Sequence, residues 1–196
     1  MKLSQAIGYF STVNLEGWDG EQWYPDVAQG SLESYDRAIS QRNLGRTRRI
    51  LKTVTPIEDR WQCVRFLGGE SPFILATYNV DVRDDTPYNH IYQIDEAPYV
   101  VEIVHHKTSK RASGSAGPRT DEIVATTYGG YSRATSQESE TFETVNYSRF
   151  DIEIPIAMKP FIDSDAEIQM DGARFNIIEY SPRARAMTMI AARRSG

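Results

Sequence analysis

Residues 149–156 read RFDIEIPI, and this stretch decides the fold. From its Phe onward every second side chain is apolar, which is the period-two pattern of a strand with one buried face. Asp171-Gly172 then separates two further apolar runs. This dipeptide favours a two-residue hairpin turn, because Asp and Gly adopt positive φ at low cost. Residues 148–196 are therefore predicted to form an antiparallel β meander. Its centre holds no residue type typical of catalysis, as expected of a structural module.

Strand patterns extend outward from this stretch and cover most of the chain after residue 57. Short apolar runs rich in Val, Ile and aromatic residues alternate with turns that contain Gly or Pro. The regular alternation of strands and helices of parallel α/β folds is missing, and no long internal repeat is evident. We therefore predict a mainly β protein, an antiparallel β barrel or sandwich with long loops. Within this 57–196 domain, residues 107–120 are rich in small and basic residues and are predicted to be a mobile loop.

The first 56 residues are predicted to form an N-terminal arm and one short helix. Glycine and proline interrupt residues 1–30, which excludes a long helix there. Residues 31–52 are the best helix candidate, with Ser31 as a candidate N-cap. Gly45 is expected to end the first part, and an extended lead into the next strand is the alternative for residues 46–52. Trp18 and Trp23 are candidate interface anchors, because aromatic side chains on an arm can bind a neighbouring subunit. An equally good interpretation is that the arm covers its own core.

The composition excludes several classes of protein. The 196 residues suit one domain, or one domain with a large insertion. The single cysteine, Cys63, excludes an internal disulfide framework and a cysteine-based zinc cluster. It lies in an apolar run, as expected of an unreactive core residue. The chain shows neither a signal-peptide pattern nor an apolar run of roughly 20 residues, so we expect a protein made in a cytoplasm and without membrane contact.

Charge is distributed unevenly along the chain, whose net charge is −5. Basic blocks alternate with acidic stretches, and segregated charge can form complementary faces that orient a partner. Solvated loops explain each block equally well. The basic side chains are candidates for contact with a protein partner or, without sequence specificity, with DNA phosphates. They are Arg42, Arg46, Arg48, Arg49, Lys52, Lys107, Lys110 and Arg111.

No spacing of residues predicts catalysis, a metal or a cofactor. His105 and His106 are adjacent, so on a strand they point to opposite faces and do not share one ion. A metal site made of His90, His105 and an Asp is conceivable. The segment around Ser115 lacks the strand–turn–helix context of a hydrolase nucleophile. Paired acids such as Asp84-Asp85 are typical of solvated loops, and no calcium-loop spacing accompanies them.

The C-terminal pattern resembles the head-closure, or stopper, proteins of tailed bacteriophages. Their last third has a strand, then an apolar residue and Asp-Gly before an aromatic strand, then a strand that ends in basic residues. The matching stretches here are residues 150–156, 168–180 and 185–194. The resemblance implies a small β barrel in a homo-oligomeric ring, between the portal or adaptor protein and the tail protein, with DNA passing through. Stopper, adaptor-associated neck protein and tail terminator are all open roles.

We therefore expect a structural subunit of this connector, not an enzyme, without a cofactor, made in the host cytoplasm and located in the virion neck. The alternative is a carbohydrate- or receptor-binding β sandwich of a virion. That module would need an exposed aromatic platform, drawn from Trp18, Trp23, Tyr24, Tyr88 and Tyr92. A hydrolase that uses acidic or histidine side chains is the third hypothesis, and no spacing supports it.

Overall fold

The computed structural model describes residues 12–34, 49–83, 86–110, 116–133, 147–182 and 184–194. These residues form two closed antiparallel β barrels of six strands each, which follow one another along the chain. Barrel 1 contains β1 (Val13–Trp18), β2 (Trp23–Ser34), β3 (Arg49–Thr53), β4 (Cys63–Phe66), β5 (Phe73–Arg83) and β6 (Thr86–Glu96). Barrel 2 contains β7 (Tyr99–Lys110), β8 (Ala116–Arg133), β9 (Tyr147–Pro155), a 3₁₀-helix (Ile156–Phe161), β10 (Glu167–Met170), β11 (Ala173–Pro182) and β12 (Ala186–Arg194).

The two barrels share one strand order. Around barrel 1 the order is β1-β2-β3-β6-β5-β4, and around barrel 2 it is β7-β8-β9-β12-β11-β10. The fourth strand of each barrel has four residues and pairs with the first strand, which closes the sheet. In each barrel the connection from the third to the fourth strand adds buried apolar side chains to the core. The chain therefore contains one Greek-key-like architecture twice.

Period-two alternation produces the core of each barrel. Ile152 and Ile154 of β9 are fully buried and lie opposite Met189 and Met187 of β12. In barrel 1 the largest fully buried side chain is Tyr92, whose hydroxyl accepts a 2.7 Å hydrogen bond from the Ile57 N–H. Burying one large apolar side chain contributes about 1.5–3 kcal/mol. Each barrel therefore has its own core, as expected of a unit that can be stable by itself.

The predicted Asp-Gly hairpin is confirmed. Asp171 and Gly172 have φ values of 50° and 70°, and Met170 pairs with Ala173 directly beside them. Two consecutive positive φ values are the mark of the type I′ turn, whose twist matches that of the flanking strands. The C-terminal strands β10, β11 and β12 follow as a meander, and β9 pairs with the far side of β12.

The mainly β, antiparallel barrel prediction is confirmed, but its N-terminal helix is not. Residues 31–34 belong to β2, and residues 49–53 form β3, while residues 35–48 lie outside the described part. Leu32 pairs with Leu51 across these two strands. At the described start of the segment, strand pairing takes the place of the predicted first helical turn, a tertiary effect that local spacing does not contain. Most of the apolar residues that carry the helical spacing, Tyr35, Ile39 and Leu44, lie outside the described part.

Two further expectations differ from the structure. Most of the predicted 107–120 loop is paired, because Lys107 lies opposite Thr120 and Lys110 opposite Ala116 in the β7–β8 hairpin; residues 111–115 lie outside the described part. Backbone pairing needs no apolar side chains, so a polar composition does not exclude a strand. The expected boundary at residues 56 and 57 falls between β3 and β4 of barrel 1. Within the described ranges, no helix is long and apolar enough to span a membrane.

Candidate functional site

The described members of the predicted basic surface lie on both barrels. Arg49 and Lys52 are on β3, while Lys107 and Lys110 are at the end of β7. Arg42, Arg46, Arg48 and Arg111 lie outside the described residues. The structure therefore divides the predicted basic set between barrel 1 and barrel 2.

Two of these basic side chains have acidic neighbours within the chain. The Arg49 guanidinium lies 2.8 Å from Glu96 Oε1 and 5.8 Å from the centre of the Phe73 ring. Lys107 forms an ion pair with Glu122, a diagonal neighbour on the adjacent strand β8. Pairing lowers the net positive charge that these positions offer, so their contact with DNA phosphates stays a prediction.

The two tryptophans predicted to anchor a neighbour pack between the two barrels of this chain. The rings of Trp18 and Trp23 lie 5.2 and 5.4 Å from that of Tyr128 on β8, and Trp23 Nε1–H donates to the Tyr128 hydroxyl at 3.3 Å. Arg65 lies over the Trp23 ring at 4.2 Å, where cation–π attraction holds it. The surface on which they pack is barrel 2 of the same chain, and an anchoring contact with a neighbouring subunit stays a prediction.

Arg185 is a second point at which barrel 2 contacts barrel 1. Its guanidinium donates to the carbonyl oxygens of Ile57 at 3.0 Å, Glu58 at 2.9 Å and Trp61 at 3.5 Å. It also lies 5.7 Å from the centre of the Tyr92 ring. An arginine fork suits several carbonyls at once because its five N–H groups are held in one plane. Sequence analysis missed this role, since only the folded chain brings β12 beside the loop between β3 and β4.

Small apolar side chains fill the space between these two contacts. Cys63, Ile74 and Ala76 of barrel 1 meet Ala186 of barrel 2, and Ala97 of the connecting segment completes the cluster. All five side chains are completely buried. An apolar interior edged by Arg185 and an aromatic cluster is the composition of a stable interface.

The outer face of barrel 2 carries a network of four ionisable side chains. His106 Nδ1 lies 2.7 Å from Asp121 Oδ1, and His106 Nε2 lies 3.0 Å from Glu167 Oε2. The Arg174 guanidinium lies 2.6 Å from the other Asp121 oxygen and 3.9 Å from Glu167. The Arg174 hydrogen bond, followed by that of His106, lowers the pKa of Asp121 from its usual 3.8. The network links β8, β7, β10 and β11 across the point where barrel 2 closes.

The two carboxylates of this network lie on different sides of the His106 ring. Nδ1 faces Asp121, and Nε2 faces Glu167. Those carboxylates lie at different ring nitrogens and do not converge on one ion. In the part of the chain that the structure describes, no three His, Cys, Asp or Glu side chains are grouped to hold a metal ion.

The other two histidines are also separated by the fold. His90 is on β6 of barrel 1, where Nδ1 lies 2.7 Å from the Tyr78 hydroxyl and the two rings stack. His105 is on β7 of barrel 2, where Nε2 lies 2.8 Å from the carbonyl oxygen of Phe161. The hypothetical metal site that combined His90 and His105 therefore has its histidines in different local environments on different barrels.

Two surfaces near these features remain open. The first open surface is on β11, where the large apolar side chains of Ile178 and Tyr180 are 52% and 41% exposed. β10 pairs only with the first four residues of β11, so among the described strands residues 177–182 have β12 as their single neighbour. A pocket of about 450 Å³ lies at the start of β10. It is lined by His106, Ser164, Asp165, Ala166, Glu167, Asn176 and Ile177.

The second open surface is a groove of about 300 Å³ on barrel 1, beside an irregular part of β2. There Asn14 donates to the Asp26 carboxylate at 2.5 Å and accepts from Gln29 at 3.0 Å. Asp26 has a φ of 55°, in the left-handed region, where the register of β1 and β2 shifts. Asp tolerates this conformation better than most residues. The bulge turns polar side chains outward along one wall of the groove.

Comparisons with known proteins give no relative: no protein-family model matches the chain, and no curated protein matches it significantly. The geometry of the site is therefore the basis for assigning a function.

Proposed function

We propose that the chain is a structural subunit of the head-to-tail connector of a tailed bacteriophage, without enzymatic activity. In this role copies of the chain form a ring in the neck of the virion. The ring bridges the portal or adaptor protein to the tail and surrounds the DNA channel. Stopper, adaptor-associated neck protein and tail terminator are roles that all share this architecture.

The observation that carries the proposal is the joining of two like barrels through a buried interface. Trp18 and Trp23 pack on Tyr128, and Arg185 binds three carbonyl oxygens of barrel 1. A unit held at two points in this way transmits force and orientation, which a ring subunit between a capsid and a tail requires. Interfaces between like units that use two different faces can be repeated by rotation into a ring.

The chemistry of the described side chains is consistent with a structural role. Cys63 is completely buried, and burial raises the pKa of its thiol to about 12, so it is not a nucleophile at neutral pH. The His106 ring lies between two carboxylates. These groups stabilise the barrels and are not arranged around a bound substrate.

The stretches that resemble stopper proteins also lie together in the fold. They form β9, the β10–β11 hairpin and β12, which are neighbours in barrel 2. This arrangement supports the proposal, because a family pattern is more informative when its parts form one structural unit.

The alternative, a carbohydrate- or receptor-binding module, has less support. Tyr92 is completely buried, Trp18 and Trp23 are half-buried between the barrels, and Tyr24 packs on Trp61 with ring centres 5.3 Å apart. A sugar-binding platform needs neighbouring aromatic rings with one open face. Binding on a glycan array that is lost in a Tyr24→Ala variant would favour this alternative.

The deciding experiment is co-assembly with the portal, adaptor and tail proteins of the phage whose genome encodes the chain. Light scattering after gel filtration and negative-stain imaging would be applied to the protein alone and to the mixtures. We expect closed rings, alone or on the portal complex. Failure to form rings together with failure to bind portal, adaptor and tail proteins would overturn the proposal.

A further inference from the structure

Two neighbouring histidines of β7 contact the two ends of one short segment. We define the strap as residues 161–167, which run from the end of the 3₁₀-helix to the first residue of β10. His105 Nε2 lies 2.8 Å from the carbonyl oxygen of Phe161, and His106 Nε2 lies 3.0 Å from Glu167 Oε2. The strap is therefore attached to β7 at both ends.

The middle of the strap is exposed and bonds to itself. Asp163, Ser164 and Asp165 are exposed side chains. The N–H groups of Asp165 and Ala166 donate to the carboxylate and to the carbonyl oxygen of Asp163, at 3.0 and 3.4 Å. Ala166 is buried and packs in the core of barrel 2. Because exposed turns open locally more readily than paired strands, the attachment of the strap depends strongly on its two ends.

Charge at the Glu167 end is balanced when the His106 ring carries a proton. Asp121 of β8 and Glu167 of β10 are the two anions beside the ring. Arg174 of β11 is the cation, 2.6 Å from Asp121 and 3.9 Å from Glu167. Asp165 of the strap lines the same pocket as the ring. The His106 side chain is only 9% exposed, so water screens an unbalanced charge there poorly.

A neutral His106 ring cannot satisfy both carboxylates, because it has a single N–H group. Nδ1 lies 2.7 Å from Asp121 Oδ1 in a hydrogen bond. Nε2 contacts Glu167 as an ion pair without hydrogen-bond alignment. The neutral ring should therefore keep its proton at Nδ1, and the lone pair at Nε2 would face the Glu167 carboxylate. Loss of one proton breaks the Glu167 contact and leaves the Asp121 contact in place.

We propose that His106 is a proton-dependent latch for the strap. The protonated ring holds the Glu167 end on β7. When the ring loses its proton, this end is released, while the Phe161 end stays because a neutral His105 still donates to the Phe161 carbonyl oxygen. Release widens the 450 Å³ pocket, since the strap forms one of its walls. The latch lies within one chain, so the inference does not rest on the connector role.

The closed strap should become less stable as the pH rises. The protonated ring belongs to the closed form, which therefore binds one proton more than the open form. Histidine is the side chain that ordinarily changes charge between about pH 5 and 8. The Asp121 carboxylate stays charged over this range, because the hydrogen bond from Arg174 lowers its pKa. The pH dependence in this range is therefore assigned to the His106 ring.

The test measures amide hydrogen exchange of the full chain at about pH 5 and about pH 8. Mass spectrometry of peptides that cover the strap gives protection factors, corrected for the intrinsic exchange rate at each pH. Nitrogen NMR shifts of the imidazole report the protonation of His106 directly. His106→Gln removes the titrating ring, and His105→Gln is the matched control, since its amide N–H can still donate to the Phe161 carbonyl oxygen. Circular dichroism checks the folding of both variants.

We expect the protection of the strap to fall about fivefold between these pH values in the wild type and in His105→Gln, the upper end for a partly exposed ion pair. In His106→Gln it should be equal at both. Wild-type protection that does not change over this range, or a His106 ring that is neutral at about pH 5, would overturn the latch. A pH dependence that persists in folded His106→Gln would overturn it as well. The two wild-type measurements decide the question even if a variant fails to fold.

Discussion

Cys63 shows how a position in the fold determines the chemistry of a side chain. The thiol is completely buried between the barrels, and its Sγ lies 4.0 Å from the Tyr128 carbonyl oxygen. Burial in apolar surroundings disfavours the thiolate, which is why the pKa rises to about 12. The apolar run around Cys63 predicted an unreactive core residue, and the structure confirms that the residue is buried.

Because the thiolate is the reactive form, native Cys63 should resist alkylation. The rise of the pKa from 9.0 to about 12 lowers the thiolate fraction about a thousandfold at neutral pH, before steric protection is considered. Labelling with iodoacetamide, followed by intact mass, should show almost no adduct in buffer and one adduct in denaturant. Rapid stoichiometric labelling of the folded protein would contradict the buried position.

Gly30 of β2 and Gly129 of β8 show how little space the backbone leaves for a side chain at single positions. A Cβ on Gly30 would lie 3.0 Å from the Lys52 carbonyl oxygen of the third strand, and one on Gly129 would lie 3.0 Å from the Glu153 carbonyl oxygen of the third strand of barrel 2. Each barrel therefore needs a residue without a side chain where its second and third strands come close.

At the scale of elements, barrel 2 is closed by backbone pairing of β7 with β10 and reinforced by the charge network on its outer face. Asp121 of β8 is the acceptor shared by His106 of β7 and Arg174 of β11. Glu102 of β7 also accepts from Gln169 of β10 at 3.0 Å. These cross-strand contacts stabilise the observed register of β7 and β10 relative to a slip by one residue. Such a slip would exchange the inner and outer faces of the strand.

The Asp121 contacts have a testable pH dependence. The pKa of Asp121 is below its unfolded value of 3.8, so the carboxylate stabilises the folded state above that pH, and the contribution is lost as the pH falls through the folded pKa. We expect Asp121→Asn to unfold at lower urea concentration than the wild type at pH 6, and the difference to shrink below pH 4. Asp165→Asn, at an exposed residue just before β10, is the control. A difference that stays constant down to pH 2 would contradict the linkage.

At the scale of the whole molecule, Arg185 determines how the two barrels are held together. Its side chain is only 12% exposed and is the donor for three carbonyl oxygens of the loop between β3 and β4. A carbonyl that loses its donor inside an interface retains the full cost of desolvation. The contribution of Arg185 should therefore exceed that of a surface arginine.

We expect Arg185→Ala to lower the free energy of unfolding by about 3 kcal/mol, and Arg185→Lys to recover only part of the loss, because an ammonium lacks the planar fork. Urea titrations followed by tryptophan fluorescence and circular dichroism would measure the free energy of unfolding of each variant. Two separate transitions would show that the two barrels no longer unfold together. The control is Lys159→Ala, since Lys159 is an exposed cation of the 3₁₀-helix, away from the loop that Arg185 binds. Equal effects of the two substitutions would contradict the role given to Arg185.

The sequence alone determined the local structure where alternation and turn chemistry agree. The RFDIEIPI run and Asp171-Gly172 specify a strand and a type I′ hairpin, because side-chain period and positive φ are properties of a few neighbouring residues. The mainly β class follows from the same signals. Their limit is visible at residues 31–34, which were predicted to begin a helix but form the end of β2, where Leu32 pairs with Leu51.

The number of barrels, the strands at which they close and the side chains between them follow from the three-dimensional fold. Strand pairing uses backbone groups that every residue has, so the sequence pattern indicates which face of a strand is buried but not its partner. The contacts of Trp18 with Tyr128 and of Arg185 with the Ile57 carbonyl oxygen join residues more than a hundred positions apart. Such contacts depend on the summed geometry of all the strands, and no local pattern encodes them.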